Sequence, residues 1–124
     1  MPGMSGENGE ALRIETHRGV HVIHFNRLVT NRLVVERMNQ EIHALLEAET
    51  ERPRFVVDFT DVKEMSSSIL GVMMSVNLKI CRSGGELRLC GIRRALLDVL
   101  RLMRLDTILN IDPTFDEALA RMSD

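Results

Sequence analysis

The stretch RFVVDFTDVKEMSSSILGVMM, residues 54–74, decides the fold class of this 124-residue chain. It begins with RFVVDF, a short run of β-branched and aromatic residues that is typical of a buried strand. The polar connection TDVKEM follows, and three serines then open SSSILGVMMSVNLKICR, where apolar residues recur at helical spacing. A strand followed by a short connection and an apolar helix indicates a unit of an α/β domain.

The helix after the serines is predicted to be apolar over much of its circumference. One face carries Ile69, Val72, Met73, Val76 and Ile80. Leu70, Met74 and Cys81 widen that face. Gly84 and Gly85 are expected to end the helix, because glycine readily adopts the left-handed conformation that stops one.

The residues before this stretch predict a hairpin and a helix. ALRIE and VHVIHF flank a turn at Gly19 and alternate as strands do. In the next segment an apolar stripe recurs at three- and four-residue steps: Val34, Met38, Ile42, Leu45 and Leu46. Asn31 is a candidate N-cap for this helix, and Pro53 lies just beyond its end.

Strand and helix patterns continue to alternate towards the C-terminus. ELRLCGI predicts a strand and RRALLDVLRLMRL a helix, with four residues expected to face inward: Leu96, Val99, Leu100 and Met103. DTILNI predicts a last strand. DPTFDEALARM predicts a final helix in which Thr114 and Glu117 form a capping box.

This alternation predicts one α/β domain with a mixed, mostly parallel β-sheet and helices packed on one side. The domain is expected to span residues 11–124. Residues 1–10, MPGMSGENGE, lack the pattern of a signal peptide and are expected to be a disordered lead-in.

Composition excludes several classes of function. The net charge of −2 gives no basic footprint for nucleic acid or an anionic membrane, and no apolar run reaches the roughly 18 residues of a membrane span. Cys81 and Cys90 are expected to be free thiols rather than a disulfide. The cytoplasm is therefore the expected compartment.

The sequence predicts no metal site, cofactor or enzyme. His21 and His24 lie three apart on a predicted strand, so they point to opposite faces and cannot chelate one ion, and His17 and His43 have no ligand spacing. No glycine-rich nucleotide motif is present. The serines lack the G-x-S-x-G context of a hydrolase nucleophile.

The serines themselves allow two interpretations. One serine hydroxyl suffices as a helix N-cap, which contributes about 0.5–2 kcal/mol. A hydroxyl at that position also suits a switch, because a phosphate there adds about −1.5 to −2 charges and accepts bonds from the helix amides. Residue patterns alone leave both open.

A second polar feature is the arginine-rich helix that contains Arg93, Arg94, Arg101 and Arg104. Such a helix can recognise an acidic partner. It can equally be a solvated face, since Asp98 dilutes the charge.

Residues 11–122 resemble the STAS domain, and in particular the bacterial anti-sigma factor antagonists. RFVVDFTDVKEMSSSILGVMM resembles the family signature, a strand, an acidic and hydrophobic loop, and then Asp-Ser-Ser-Gly-Leu-Gly at a helix start. The segment from SGGELRLCGI to DEALA resembles the C-terminal half of the family.

The resemblance implies a function and a site. In this family the first serine of the motif is phosphorylated by a serine kinase that is also the anti-sigma factor, and a phosphatase reverses this. On this chain Ser67 takes the phosphoacceptor position and Ser68 that of the second serine, while Ser66 and Ile69 replace the aspartate and the glycine. Leu70 and Gly71 match.

The expected function is thus a regulatory protein–protein interaction module, with an anti-sigma factor or related serine kinase as its partner. Its expected partner-binding residues are Ser66, Ser68, Ile69, Leu70, Met73 and Met74. Two alternatives remain, a scaffold of the same fold that is not phosphorylated, and a small-ligand-binding or hydrolytic protein that uses the hydroxyls of Ser66–Ser68.

Overall fold

The computed structural model describes residues 12–26, 32–48, 52–62 and 68–122. These residues form five strands: β1 Leu12–His17, β2 Val20–Asn26, β3 Arg54–Asp61, β4 Glu86–Cys90 and β5 Asn110–Asp112. They also form four α-helices: α1 Arg32–Ala48, α2 Ser68–Arg82, α3 Arg94–Leu102 and α4 Phe115–Met122. The predicted order of elements is confirmed for this part of the chain, and the predicted lead-in of residues 1–10 lies outside it.

The strands build one sheet in the order β1-β2-β3-β4-β5. β1 runs antiparallel to β2, with Leu12 opposite Phe25, and the other three pairs are parallel. Each parallel pair is connected by a helix, because the chain must cross back to the same edge of the sheet before it begins the next parallel strand. The predicted α/β class and the mixed, mostly parallel sheet are confirmed.

The sheet is covered on both faces, which corrects one detail of the prediction. A large core lies between the sheet and helices α1 to α3 and contains Ile23, Phe25, Phe55, Met38 and Met73. A smaller core on the opposite face joins the sheet to α4. Its buried members are Val20, Val22, Val56, Cys90, Ala118 and Met122.

Strand alternation explains the second core. Ile23 and Phe25 of β2 face the large core, so Val20 and Val22 must project from the other side. They are fully buried only because α4 lies over them. The apolar residues of α4 recur at helical spacing as Phe115, Ala118, Leu119 and Met122, which makes one face of this short helix apolar.

Two C-terminal expectations are wrong. Leu100 is the buried residue of α3 and Leu96 is partly buried, whereas Val99 and Met103 are exposed. Residues Leu105–Thr107 form a 3₁₀ turn rather than strand, because the Ile108 and Leu109 amides both donate to the Leu105 carbonyl. The last strand is therefore only three residues long.

Two helix ends follow the predicted signals, whereas the candidate N-cap Asn31 lies outside the described residues. Gly84 has φ of +78°, and the Gly85 amide donates to the Ile80 carbonyl at 2.9 Å, which ends α2. At the start of α4 the Glu117 amide donates to Thr114 Oγ1 at 3.2 Å, as a capping box requires.

Candidate functional site

The predicted site lies where the chain passes from β3 into α2. Ser68 is the first residue of α2. Ser66 and Ser67 lie outside the described residues. The structure describes the chain on either side of them, up to Val62 after β3 and from Ser68 at the start of α2.

The first turns of α2 divide the predicted partner-binding residues into two groups. Ile69, Leu70 and Met73 are buried in the large core, at 1%, 8% and 1% exposure. This burial argues against their predicted partner-binding role, because the side of α2 that faces the sheet must fill the core. Met74 is partly buried against the same core, while Gly71 is exposed.

Gly71 leaves an open surface one turn into the helix. A Cβ added at this position would meet nothing within 4 Å. The backbone of α2 is therefore accessible here, and another molecule can approach it more closely than it could beside a side chain.

The connection between β4 and α3 holds the end of β3 in place. Val62, which is 1% exposed, accepts a hydrogen bond on its carbonyl from Arg93 Nε at 2.9 Å. Gly91 has φ of +70°, and a Cβ there would lie 2.4 Å from Thr60 Oγ1. The β4–α3 connection thus packs directly against the last residues before the serine segment.

A buried carboxylate organises the same strand end. Asp58 Oδ1 accepts hydrogen bonds from the Thr60 amide at 3.0 Å and the Thr60 hydroxyl at 2.5 Å. Asp58 Oδ2 lies 2.9 Å from Nδ1 of His24 on β2, and a carboxylate can only accept there. Asp58 therefore links β2 to β3 and fixes the backbone of the last residues of β3.

These contacts keep Asp58 ionised. Burial by itself raises the pKa of Asp58, but the hydrogen bonds from Thr60 and from His24 outweigh it, so the pKa is lowered. Glu15 lies 3.8 Å from the other ring nitrogen of His24, and hydrogen bonds from His17 and Arg13 lower the pKa of that carboxyl.

The adjacent thiol is placed so that it stays protonated. Cys90 Sγ lies 3.6 Å from Asp58 Oδ1, and its side chain is fully buried. Burial, the charge and hydrogen bond of Asp58 and the charge of Asp112 all raise the pKa of the Cys90 thiol. Such a thiol is a poor nucleophile at neutral pH.

The structure also describes the cysteines, two of the histidines and the apolar character of the helices. Both cysteines are free, and Cys81 is exposed while Cys90 is buried. His21 packs against Phe55 and His24 against Phe115, so the two histidines do lie on opposite faces of the sheet. No three His, Cys, Asp or Glu side chains of this part of the chain are arranged to hold a metal ion. None of its helices is long and apolar enough to cross a membrane.

Sequence reasoning missed Asp58 and Arg93 as the supports of the site. A carboxylate in the apolar run RFVVDF was a usable signal, because buried charges require partners. Arg93 gave no such signal, since it appeared as one of several arginines on a helix.

Comparison with known proteins gives one family and a consistent fold. A family model described as the STAS domain matches residues 12–118. No curated protein matches the chain.

Solved structures share the fold at low sequence identity. An anti-sigma-factor antagonist (STAS) domain protein from Planctomyces limnophilus has a TM-score of 0.75 at 21% identity, covering 91% of this chain and 98% of that one. An anti-sigma factor antagonist from Mycobacterium paratuberculosis has a TM-score of 0.74 at 23% identity, with 91% and 93% covered. The Bacillus cell fate determinant SpoIIAA in its phosphorylated form has a TM-score of 0.70 at 20% identity, with 90% and 98% covered.

Proposed function

Because this chain belongs to the STAS domain family, we propose that it is a regulatory protein–protein interaction module that antagonises an anti-sigma factor or a related serine kinase in the cytoplasm. We further propose that phosphorylation of Ser67 controls this interaction, and that a phosphatase reverses it. The role is one of binding and not of catalysis.

The observation that carries the proposal is that Ser68, the last of the three serines, begins α2. Ser67 immediately precedes Ser68, the first residue of α2. A helix N-terminus presents unpaired amides and a positive dipole end, which favour a phosphate. The added charge would stand directly in a protein interface and would weaken binding to an acidic or apolar partner surface.

Two features of α2 favour a partner at this end. Gly71 is exposed and allows close approach to the helix backbone, and Met74 lies only partly buried on the same helix. Ile69 replaces the glycine of the family motif, but its side chain is in the core. The isoleucine therefore does not obstruct a kinase that approaches from solvent.

Phosphorylation in the native host is the first test. Purified protein is digested, and the peptide that covers residues 65–70 is examined by mass spectrometry under several growth conditions. We expect phosphate on Ser67. A well-covered peptide that is never modified would contradict the switch and leave the alternative of a scaffold that binds without phosphorylation.

The binding test uses an anti-sigma serine kinase from the same genome. Ser67→Asp should weaken complex formation about tenfold or more, because a charge is placed in the interface. Ser67→Ala should bind but resist phosphorylation. Ser75→Asp is the matched control, since Ser75 is an exposed serine two turns further along α2. Equal effects of the two aspartates would contradict a site at Ser67.

The same variants address the hydrolytic alternative. A protein that uses the hydroxyls of Ser66–Ser68 as a nucleophile should release product from an activated ester and lose this activity in Ser67→Ala. We expect no activity that depends on Ser67.

A further inference from the structure

Exposed apolar side chains are concentrated away from the serine site. Among the described residues, five of the six large apolar side chains that are exposed lie between residues 78 and 108. Three of them belong to α2 and α3 and a fourth is the C-cap residue of α3, and we call these four the distal patch: Leu78, Val99, Leu102 and Met103. Their exposures run from 41% for Val99 to 85% for Leu102. Ile108, at 52%, follows shortly after in the chain.

The α3 part of the distal patch is a stripe that the fold leaves uncovered. Val99, Leu102 and Met103 are spaced i, i+3 and i+4, which places them side by side on a helix. The buried residue of α3 is Leu100, so this stripe lies on one flank of the helix, beside the side that faces the sheet. A helix with an apolar stripe on its outer flank is suited to bind another apolar surface.

We infer from the topology that the flank of α3 with the stripe is turned towards α2. Lys79 precedes the buried Ile80, and its Nζ donates to Asn39 of α1 at 3.3 Å, so this position faces the preceding helix. Successive right-handed crossovers place α3 beside α2. Val99 precedes the buried Leu100 as Lys79 precedes Ile80, so we infer that Val99 lies on the flank of α3 towards α2. The flank of α2 that faces away from α1 carries Met74, Leu78 and Cys81 at helical spacing.

The charges around the distal patch select its partner. Arg82 and Arg104 are exposed, and within the described part of the chain neither has a carboxylate within 4.0 Å, whereas Arg101 lines a cleft together with Asp106 and Asp112. Asp98 is 3.9 Å from Arg94. The surroundings are therefore net positive, which favours an acidic partner and disfavours a second copy that would bring guanidinium groups together.

We propose that the distal patch binds an acidic amphipathic helix of a partner protein, whose apolar side chains pack on Leu78, Val99, Leu102 and Met103 and whose carboxylates pair with the surrounding arginines. Leu78 lies ten residues beyond Ser68 in α2, about 15 Å along the helix axis. The surface is thus separate from the serine site and does not depend on phosphorylation.

The test uses synthetic helices as probes. One 18-residue peptide carries leucines at i, i+3, i+4 and i+7 and glutamates on its other face. A second replaces the glutamates with lysines, and a third is a scrambled version of the first. Binding to the full chain is measured by fluorescence anisotropy at two salt concentrations, and the contacted residues are mapped by NMR chemical-shift changes.

We expect the acidic peptide to bind at least about tenfold tighter than the other two, and more weakly as salt increases. Shift changes should centre on Leu78, Val99 and Met103. Leu102→Glu should weaken binding about tenfold, while Leu33→Glu, at a leucine on α1 that is 61% exposed, should change it less than about twofold. Unchanged melting temperatures would show that both variants are folded.

Three results would overturn the proposal. The first is equal binding of the acidic, basic and scrambled peptides, and the second is a set of shift changes away from the distal patch. The third is a dimer in light scattering that Leu102→Glu dissociates, which would assign the patch to a second copy of this chain.

Discussion

At the scale of single residues, Asp58 connects the neighbouring strands β2 and β3 near the end of β3. It is 8% exposed, and both of its carboxylate oxygens are bonded, one to Thr60 and one to His24. A buried carboxylate contributes to stability only while these bonds to the charged form exist. Asp58 is therefore the residue at which acid should act on the fold.

The direction of the pH effect follows from the lowered pKa of Asp58. The contribution of the Asp58 carboxylate to stability is fully present at pH values above 3.8, its ordinary pKa. This contribution is lost as the pH falls through the lower pKa that Asp58 has in the folded state. We predict that Asp58→Asn lowers the free energy of unfolding by about 1–3 kcal/mol at pH 7. Urea unfolding of both proteins from pH 7 to pH 3 should show this difference constant down to about pH 5 and shrinking below about pH 4.

Asp61→Asn provides the control for this series. Asp61 ends the same strand but is exposed, so its substitution should change stability by less than about 0.5 kcal/mol. A difference between wild type and Asp58→Asn that stays the same from pH 7 to pH 3 would show that ionisation of Asp58 does not contribute.

At the scale of elements, two accessible glycines, one inside α2 and one just beyond it, differ in backbone conformation. Gly71 lies inside the helix and Gly84 lies just past its end, with φ of +78°. A Cβ would meet nothing within 4 Å at either position. If substitutions at the two glycines change stability differently, the difference must therefore come from backbone conformation and not from side-chain packing.

We predict opposite effects of the same substitution at these two positions. Gly71→Ala should stabilise the protein by about 0.5–1 kcal/mol, because alanine loses less conformational entropy in a helix. Gly84→Ala should destabilise it by about 1–2 kcal/mol, because alanine is strained in the left-handed region. Chemical denaturation of the two variants measures both changes in the free energy of unfolding. Destabilisation by Gly71→Ala would mean that the helix start does not have the described conformation.

At the scale of the whole molecule, the domain depends on two cores on opposite faces of one sheet. The smaller core is closed by α4, which is only eight residues long. Arg54 helps to hold it by donating to the carbonyls of Met122 and Arg18. Asp112, 3% exposed, is paired with Arg88 and with Arg121 of α4.

A pair of methionines tests the contribution of the small core. Met122→Ala should lower the free energy of unfolding by about 2–5 kcal/mol, because Met122 is 2% exposed and its removal leaves a cavity. Met103→Ala, at 58% exposure, should change it by less than about 0.5 kcal/mol. Thermal or urea unfolding gives both values, and similar losses in the two variants would contradict a core closed by α4.

The sequence by itself determined the class of fold and the order of its elements. Strand and helix periodicity is local, so it was readable in RFVVDF, in the stripe of α1 and in the Gly84 and Thr114 signals at helix ends. The serine run could also be placed at a helix start, because the change from polar to apolar repeat occurs there.

Only the tertiary structure decided which apolar residues are covered. Ile69 and Met73 were indistinguishable by hydrophobicity from Val99 and Met103, yet the first pair is in the core and the second is exposed. The tertiary structure also decided that α4 lies on the opposite face of the sheet from the other helices. It likewise decided the bonds of Arg93 to Val62 and of His24 to Asp58. Burial depends on contacts between residues that are distant in the chain, and local periodicity carries no information about which neighbour will supply them.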